Sequence, residues 1–150
     1  MIRNLSIDEV GLMVEGGKRF FEEGKLPGRF NPEHFVQKWK EYIPSGIGEA
    51  YGMFDESTGG LVGALGALFY KCLLTGDDMS SEVFWFVFPE HRGRGMGLLD
   101  RYVDRACKRR CKRIYMVHLE SLHPEALKKL YERKGFRMVE TGYLKEVPWQ

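Results

Sequence analysis

The sequence predicts an α/β protein, a mixed sheet with helices on its faces in the order β-α-α-β-β-β-α-β-α-β. Three observations lead there. The apolar run Val83-Phe84-Trp85-Phe86-Val87 reads as a buried strand. It passes through a glycine-rich loop into Leu98, Leu99, Tyr102, Val103 and Ala106, which keep helical spacing. A second β-rich stretch over 113–119 is again followed by a helical pattern, over 124–134. No repeat, low-complexity tract or linker divides the 150 residues, so a single domain over 1–150 is expected.

The elements follow in order. Ile2 to Leu5 forms a short first strand. Ser6 then caps a helix that runs to Glu23, with Asp8 and Glu9 in its first turn, where negative charge is favoured. Gly16-Gly17 should weaken that helix. A loop rich in glycine and proline leads to a second helix, capped by Asn31, with Pro32 at its first position and Phe35, Trp39 and Tyr42 as apolar anchors. Gly48–Phe54 and Leu61–Leu74 read as strands joined by a turn, although Gly63 and Gly66 argue against wholly regular pairing. The strand ending at Phe88, the loop, a helix, strand 113–119, helix 124–134 and final strands from Phe136 to Val147 complete the chain.

Composition narrows the function. With 43% hydrophobic and 13% aromatic residues, the chain can bury a globular core. The longest uncharged stretch, Ser57 to Tyr70, is too short and glycine-rich to span a bilayer, which takes about 20 apolar residues. The opening Met1-Ile-Arg-Asn-Leu5 leads into acidic sequence and not into a secretion signal, so a cytoplasmic protein without membrane contact is expected. Three cysteines without a C-x-x-C spacing argue against disulfides and a metal site. Residues 1–80 carry 8 Lys/Arg against 12 Asp/Glu, whereas residues 81–150 carry 15 against 9. The positive half suits an anionic ligand and the negative half a cationic one.

The loop Arg92-Gly93-Arg94-Gly95-Met96-Gly97 lies where a strand hands over to a helix, whose unpaired N–H groups and dipole favour an anion. Its glycines let a phosphate approach the backbone, and its arginines add fork-shaped donors. No G-x-x-x-x-G-K-[ST] occurs, and Leu98 stands where a dinucleotide fingerprint needs its third glycine. The segment resembles the pyrophosphate loop of the GNAT superfamily of N-acetyltransferases, R/Q-x-x-G-x-G/A, with the associated V-x-P lead-in present as Val87-Phe88-Pro89. A second patch from Ala126 through Leu130, Tyr131, Gly135 and Phe136 is similar to that family's A-x-x-L-Y-x-x-x-G-F segment. The two patches span residues 82 to 147, and the first 80 residues match in general layout only.

The resemblance implies a GNAT-like fold that binds acetyl-CoA between two splayed central parallel strands, here 82–88 and 113–119, and passes the acetyl group directly to an amine. A backbone N–H of Val87 or Phe88 would polarise the thioester carbonyl, and Arg92, Gly93, Arg94, Gly95, Met96 and Gly97 would hold the pyrophosphate. Ser121 would stand in for the family's usual pantetheine-contacting asparagine. Tyr131 occupies the position of the general acid facing the thiolate, with packing in the core as its alternative. For the base, Glu82 and Glu120 lead, with His118 and Glu49 as rivals and a water relay as a further option. By strand alternation Glu82, Phe84 and Phe86 share one face. Glu22, Glu23, Phe30 and Phe35 are expected near the acceptor. The family layout also admits a homodimer.

Cys72, Cys107 and Cys111 sit in core-like contexts, so no covalent acetyl-cysteine step is expected. Two other readings compete. One is a catalytically inactive module that holds coenzyme A. The other is a nucleic-acid binder using Arg105, Lys108, Arg109, Arg110, Lys112 and Arg113, although no stacking aromatics interleave with these bases.

Overall fold

The computed structural model describes residues 1–119 and 121–148. Its centre is a five-stranded sheet in chain order: β1 (Ile2–Asn4), β2 (Gly48–Phe54), β3 (Leu61–Lys71), β4 (Asp78–Val87) and β5 (Arg113–Tyr115). Strands β1 to β4 pair antiparallel, and β5 joins β4 in parallel. Helices α1 (Val14–Glu23) and α2 (Pro32–Ser45) cover one face, and α3 (Met96–Lys108) covers the other. Helix α4 (Pro124–Arg133) follows β5. Among the described residues, no helix is long and apolar enough to cross a membrane.

Local chemistry accounts for the helix ends. Asn31 Oδ1 accepts the His34 N–H at 3.0 Å, Pro32 opens α2, and Gly46 closes it in the left-handed conformation at φ 76°. The first helical stretch departs from expectation, because residues Ile7–Met13 wind as 3₁₀ turns before α1 begins. Glu9 anchors this stretch, accepting the Ser6 N–H at 2.9 Å and a fork from Arg3 at 2.6 and 2.8 Å.

Gly16 strengthens the packing of α1, contrary to its helix propensity. The Phe86 ring of β4 lies against it, 1.8 Å from where a Cβ would stand. Gly16→Ala is therefore expected to lower stability by about 1–3 kcal/mol through overpacking, against a helix-propensity gain of about 1 kcal/mol. Thermal unfolding of the variant checks this, and a raised Tm would contradict the packing.

Two β-elements are shorter than expected. Strand β5 stops at Tyr115, and residues 136–148 form no strand. Met138, Tyr143, Leu144 and Val147 in that last segment are exposed, with no sheet edge paired to them. Of the cysteines, Cys107 faces solvent on α3 and does not sit in the core.

Candidate active site

Strands β4 and β5 pair only through Met79–Arg113, Ser80–Ile114 and Ser81–Tyr115. Beyond that point, among the described residues, no backbone pairing joins them. The cause lies partly on the other edge of β4. Ala67 pairs with Glu82 and Gly66 with Phe84, so Val83 is an extra, bulged residue, 46% exposed. Gly66 makes the bulge feasible, because a Cβ there would stand 2.5 Å from the Phe84 ring and 2.6 Å from Trp39.

The bulge corrects the alternation read from the sequence. Glu82 lies opposite Ala67, on the α3 face, whereas Phe84 and Phe86 pack with Trp39 on the α1–α2 face. Glu82 thus sits 6% exposed at the root of the strand split. Its Oε2 accepts the Val117 N–H at 3.1 Å, and its other oxygen has no protein hydrogen-bond partner among the described residues. Burial pushes this carboxyl up to about 7, and the Val117 hydrogen bond only partly offsets that. Proton exchange near neutrality is the consequence.

Tyr131 of α4 donates its hydroxyl to the carbonyl of the same residue, Val117, at 2.9 Å. Its phenol is buried, and desolvation, then the charge of Glu82, raise its pKa above the ordinary value. One peptide residue therefore carries a titratable carboxyl on its N–H and a protonated phenol on its C=O. Gly135, left-handed at φ 85°, ends α4, and the Phe136 ring packs against Tyr131 with centroids 5.8 Å apart.

The glycine-rich loop lies at the open end of β4. Gly93 takes φ 92°, where a side chain would be strained. Gly95 and Gly97 also have a steric role: a Cβ would meet Val87 at 2.6 Å and Ile2 at 2.5 Å, so these glycines let α3 start against the sheet. Three loop N–H groups are engaged, Arg92 to Pro89, Arg94 to His91 and Leu98 to Gly95. Those of Gly93, Gly95, Met96 and Gly97 lack a backbone acceptor among the described residues. The indole N–H of Trp85, 3.7 Å from the Gly95 Cβ position, is also buried and has no hydrogen-bond partner among the described residues. Arg92 and Arg94 are half exposed and hold only loose ion pairs, with Glu23 at 3.5 Å and Asp55 at 3.9 Å. Such pairs exchange readily for another anion. Surplus donors, positive charge and a close-packed helix start together fit a pyrophosphate.

Comparison with known proteins agrees with this geometry. The model of the Acetyltransferase (GNAT) family matches residues 19–136. The chain belongs to the GNAT acetyltransferase family. No curated protein matches it in sequence. Among solved structures, a predicted acetyltransferase from Clostridium acetobutylicum, solved with acetyl-CoA, has a TM-score of 0.78 at 16% identity, covering 97% of this chain and 95% of that one. A ribosomal-protein-alanine N-acetyltransferase from Brucella melitensis biovar Abortus 2308 has a TM-score of 0.73 at 19% identity, covering 98% and 99%. A glucosamine-6-phosphate N-acetyltransferase from Arabidopsis thaliana has a TM-score of 0.71 at 17% identity, covering 99% and 98%. These likenesses establish a shared fold.

Within this GNAT domain the other expected site residues separate. The Phe88 N–H already donates to Val62 at 2.9 Å, so pairing removes it as a carbonyl donor. By antiparallel alternation the Val87 N–H points to the opposite edge of β4, into the split. Ser121 Oγ donates to the Gly24 carbonyl at 2.6 Å, which leaves it only lone pairs for a ligand. Glu49 is held by other partners. Burial would raise its carboxyl, but hydrogen bonds from Arg105, Tyr51 and Arg109 outweigh it and hold it at about 2.

Glu120 lies outside the described residues. His118 is half-buried on the segment beyond β5. Phe30 and Phe35 continue the aromatic stack from Phe21 to Phe84, and Glu22 and Glu23 are exposed at the end of α1. Within the basic run, Arg105 and Arg109 bind Glu49, Lys108 binds Asp104 and Arg113 binds Asp77.

No sequence pattern marks Val117, because its peptide group and not its side chain makes the two hydrogen bonds. The signals that could have found the split were a lone glutamate opening an apolar strand and a glycine across from it.

Proposed function

We propose that this GNAT domain is an acetyl-CoA-dependent N-acetyltransferase that moves the acetyl group directly to a primary amine. The observation that carries this reading is the pairing of a buried carboxyl poised near pH 7 with a buried phenol, both on Val117 at the strand split. Acetyl-CoA supplies a thioester whose carbonyl carbon accepts the amine, with the sulfur leaving as thiolate. The loop N–H groups, Arg92 and Arg94 hold the diphosphate, and the Val87 N–H polarises the acetyl oxygen.

Glu82 takes the proton that the attacking amine must lose. Tyr131 turns its hydroxyl from the Val117 carbonyl to the sulfur and gives up its proton as the C–S bond breaks. Glu22 and Glu23, exposed on the α1 side with the Glu23 carboxylate near Arg92, favour a cationic acceptor. The N-acetyltransferase names carried by two structural relatives support an amine acceptor.

The test is thiol release from acetyl-CoA, followed with a thiol-reactive chromophore, over a panel of polyamines, amino sugars and peptides with free N-termini. Thiol release that depends on one class of amine is expected. Binding of acetyl-CoA without release on any amine would favour a coenzyme-holding module instead.

A further inference from the structure

We propose that Glu82 is also the strut that keeps β4 and β5 apart, so that its side chain, and not only its proton chemistry, forms the donor cleft. The parallel ladder ends at Ser81–Tyr115, one residue before Glu82. Two strands continuing side by side would be expected to keep exchanging backbone hydrogen bonds at about 4.8 Å spacing. Here the next link is the Glu82 carboxylate, which takes the Val117 N–H at 3.1 Å. A carboxylate on a two-methylene stem replaces a peptide carbonyl as acceptor, and the backbones are held farther apart by that stem.

Three features fix the strut. The Val83 bulge turns Glu82 to the α3 face and leaves Val83 itself outside the ladder. The side chain is buried, so its orientation is set by packing. Tyr131 fastens the far side of the same peptide residue through the Val117 carbonyl at 2.9 Å, which keeps Val117 from turning back into the ladder. Glu82 is thus a positioning residue for the cleft as well as a proton acceptor, and the two roles separate chemically. A glutamine keeps an oxygen for the Val117 N–H but cannot take a proton, whereas an alanine keeps neither.

The consequence for ligand binding rests on the coenzyme A reading above. Calorimetric titration with CoA, which has no acetyl group to transfer, reads the cleft without catalysis. Glu82→Gln is expected to bind CoA within about twofold of the wild type, while Glu82→Ala weakens binding by at least about tenfold. Amide hydrogen exchange at Val117 reads the strut independently of any ligand. Protection of that amide is expected in the wild type and in Glu82→Gln, and its loss in Glu82→Ala.

Equal CoA affinity in the alanine variant and the wild type would overturn the proposal, as would a Val117 amide that exchanges freely in the wild type. Should Glu82→Ala fail to fold, the wild-type and Glu82→Gln amides still decide. A wild type that binds no CoA sinks the ligand reading alone, and Val117 exchange then judges the strut.

Discussion

Replacing Tyr131 with phenylalanine is expected to lower kcat by about a hundredfold, the scale of a lost general acid. The phenol is buried and its pKa is raised, first by desolvation and then by the Glu82 charge, so it carries its proton across the working pH range. Phenylalanine keeps the ring that packs against Phe136. It removes only the hydroxyl, which leaves the Val117 carbonyl without its donor and costs about 1–3 kcal/mol of stability. Steady-state kinetics with acetyl-CoA, read beside thermal unfolding, separates the two effects. A purely packing role for Tyr131 would lower Tm and spare kcat.

Glu82→Gln should remove the acid limb of the kcat/KM profile. In the wild type, activity is expected to rise with pH through about 7, as the carboxyl loses its proton and becomes a base. The buried phenols facing it, Tyr102 and Tyr131, have raised pKa values and do not titrate in this range. His118 lies on the neighbouring segment, so the limb is assigned by its disappearance in Glu82→Gln, with His118→Gln as the comparison. A loss of about a hundredfold at pH 8 is expected in the glutamine variant.

Stability should move the other way. The unfolded carboxyl ionises near 4.5 and the folded one near 7, so between those values the folded state holds more protons. Wild-type stability therefore falls as pH rises through that window and stays lower above it. Glutamine carries no such penalty, and its relative stability should increase over the same window, reaching up to about 3 kcal/mol above pH 7. Denaturant unfolding of both proteins at pH 4.5 and 8 checks this. A gain that does not grow with pH would contradict the buried ionisation.

The elements that sequence patterns exposed were those whose cause is local. The Asn31-Pro32 helix start, the strand into the Arg92–Gly97 loop and the Tyr131 helix ending at Gly135 all depend on residues within a few positions of one another. What sequence could not show depends on distant partners. Gly16 reads as a helix breaker until Phe86 is seen lying on it, and the close approach of Gly95 to Val87 and of Gly97 to Ile2 has no local signature. The Val83 bulge shifts Glu82 to the opposite face of the sheet, and strict alternation has no means of signalling an extra residue. Glu49 looked available because Arg105 and Arg109 lie more than fifty residues away in the chain. The sequence reads as final strands from Phe136 to Val147, but residues 136–148 pair with no strand, although β5 stands at the edge of the sheet.

The most direct measurement is calorimetric titration of acetyl-CoA into the wild type, Arg92→Ala and Arg94→Glu. Both arginines are exposed, so these variants test the loop without the steric damage that any side chain at Gly95 would cause. Micromolar binding by the wild type, weakened about tenfold by Arg92→Ala and nearly abolished by Arg94→Glu, is the expected result. A folded wild type that binds no acetyl-CoA, or one whose affinity ignores both charges, would contradict the assignment of this loop and split as the donor site.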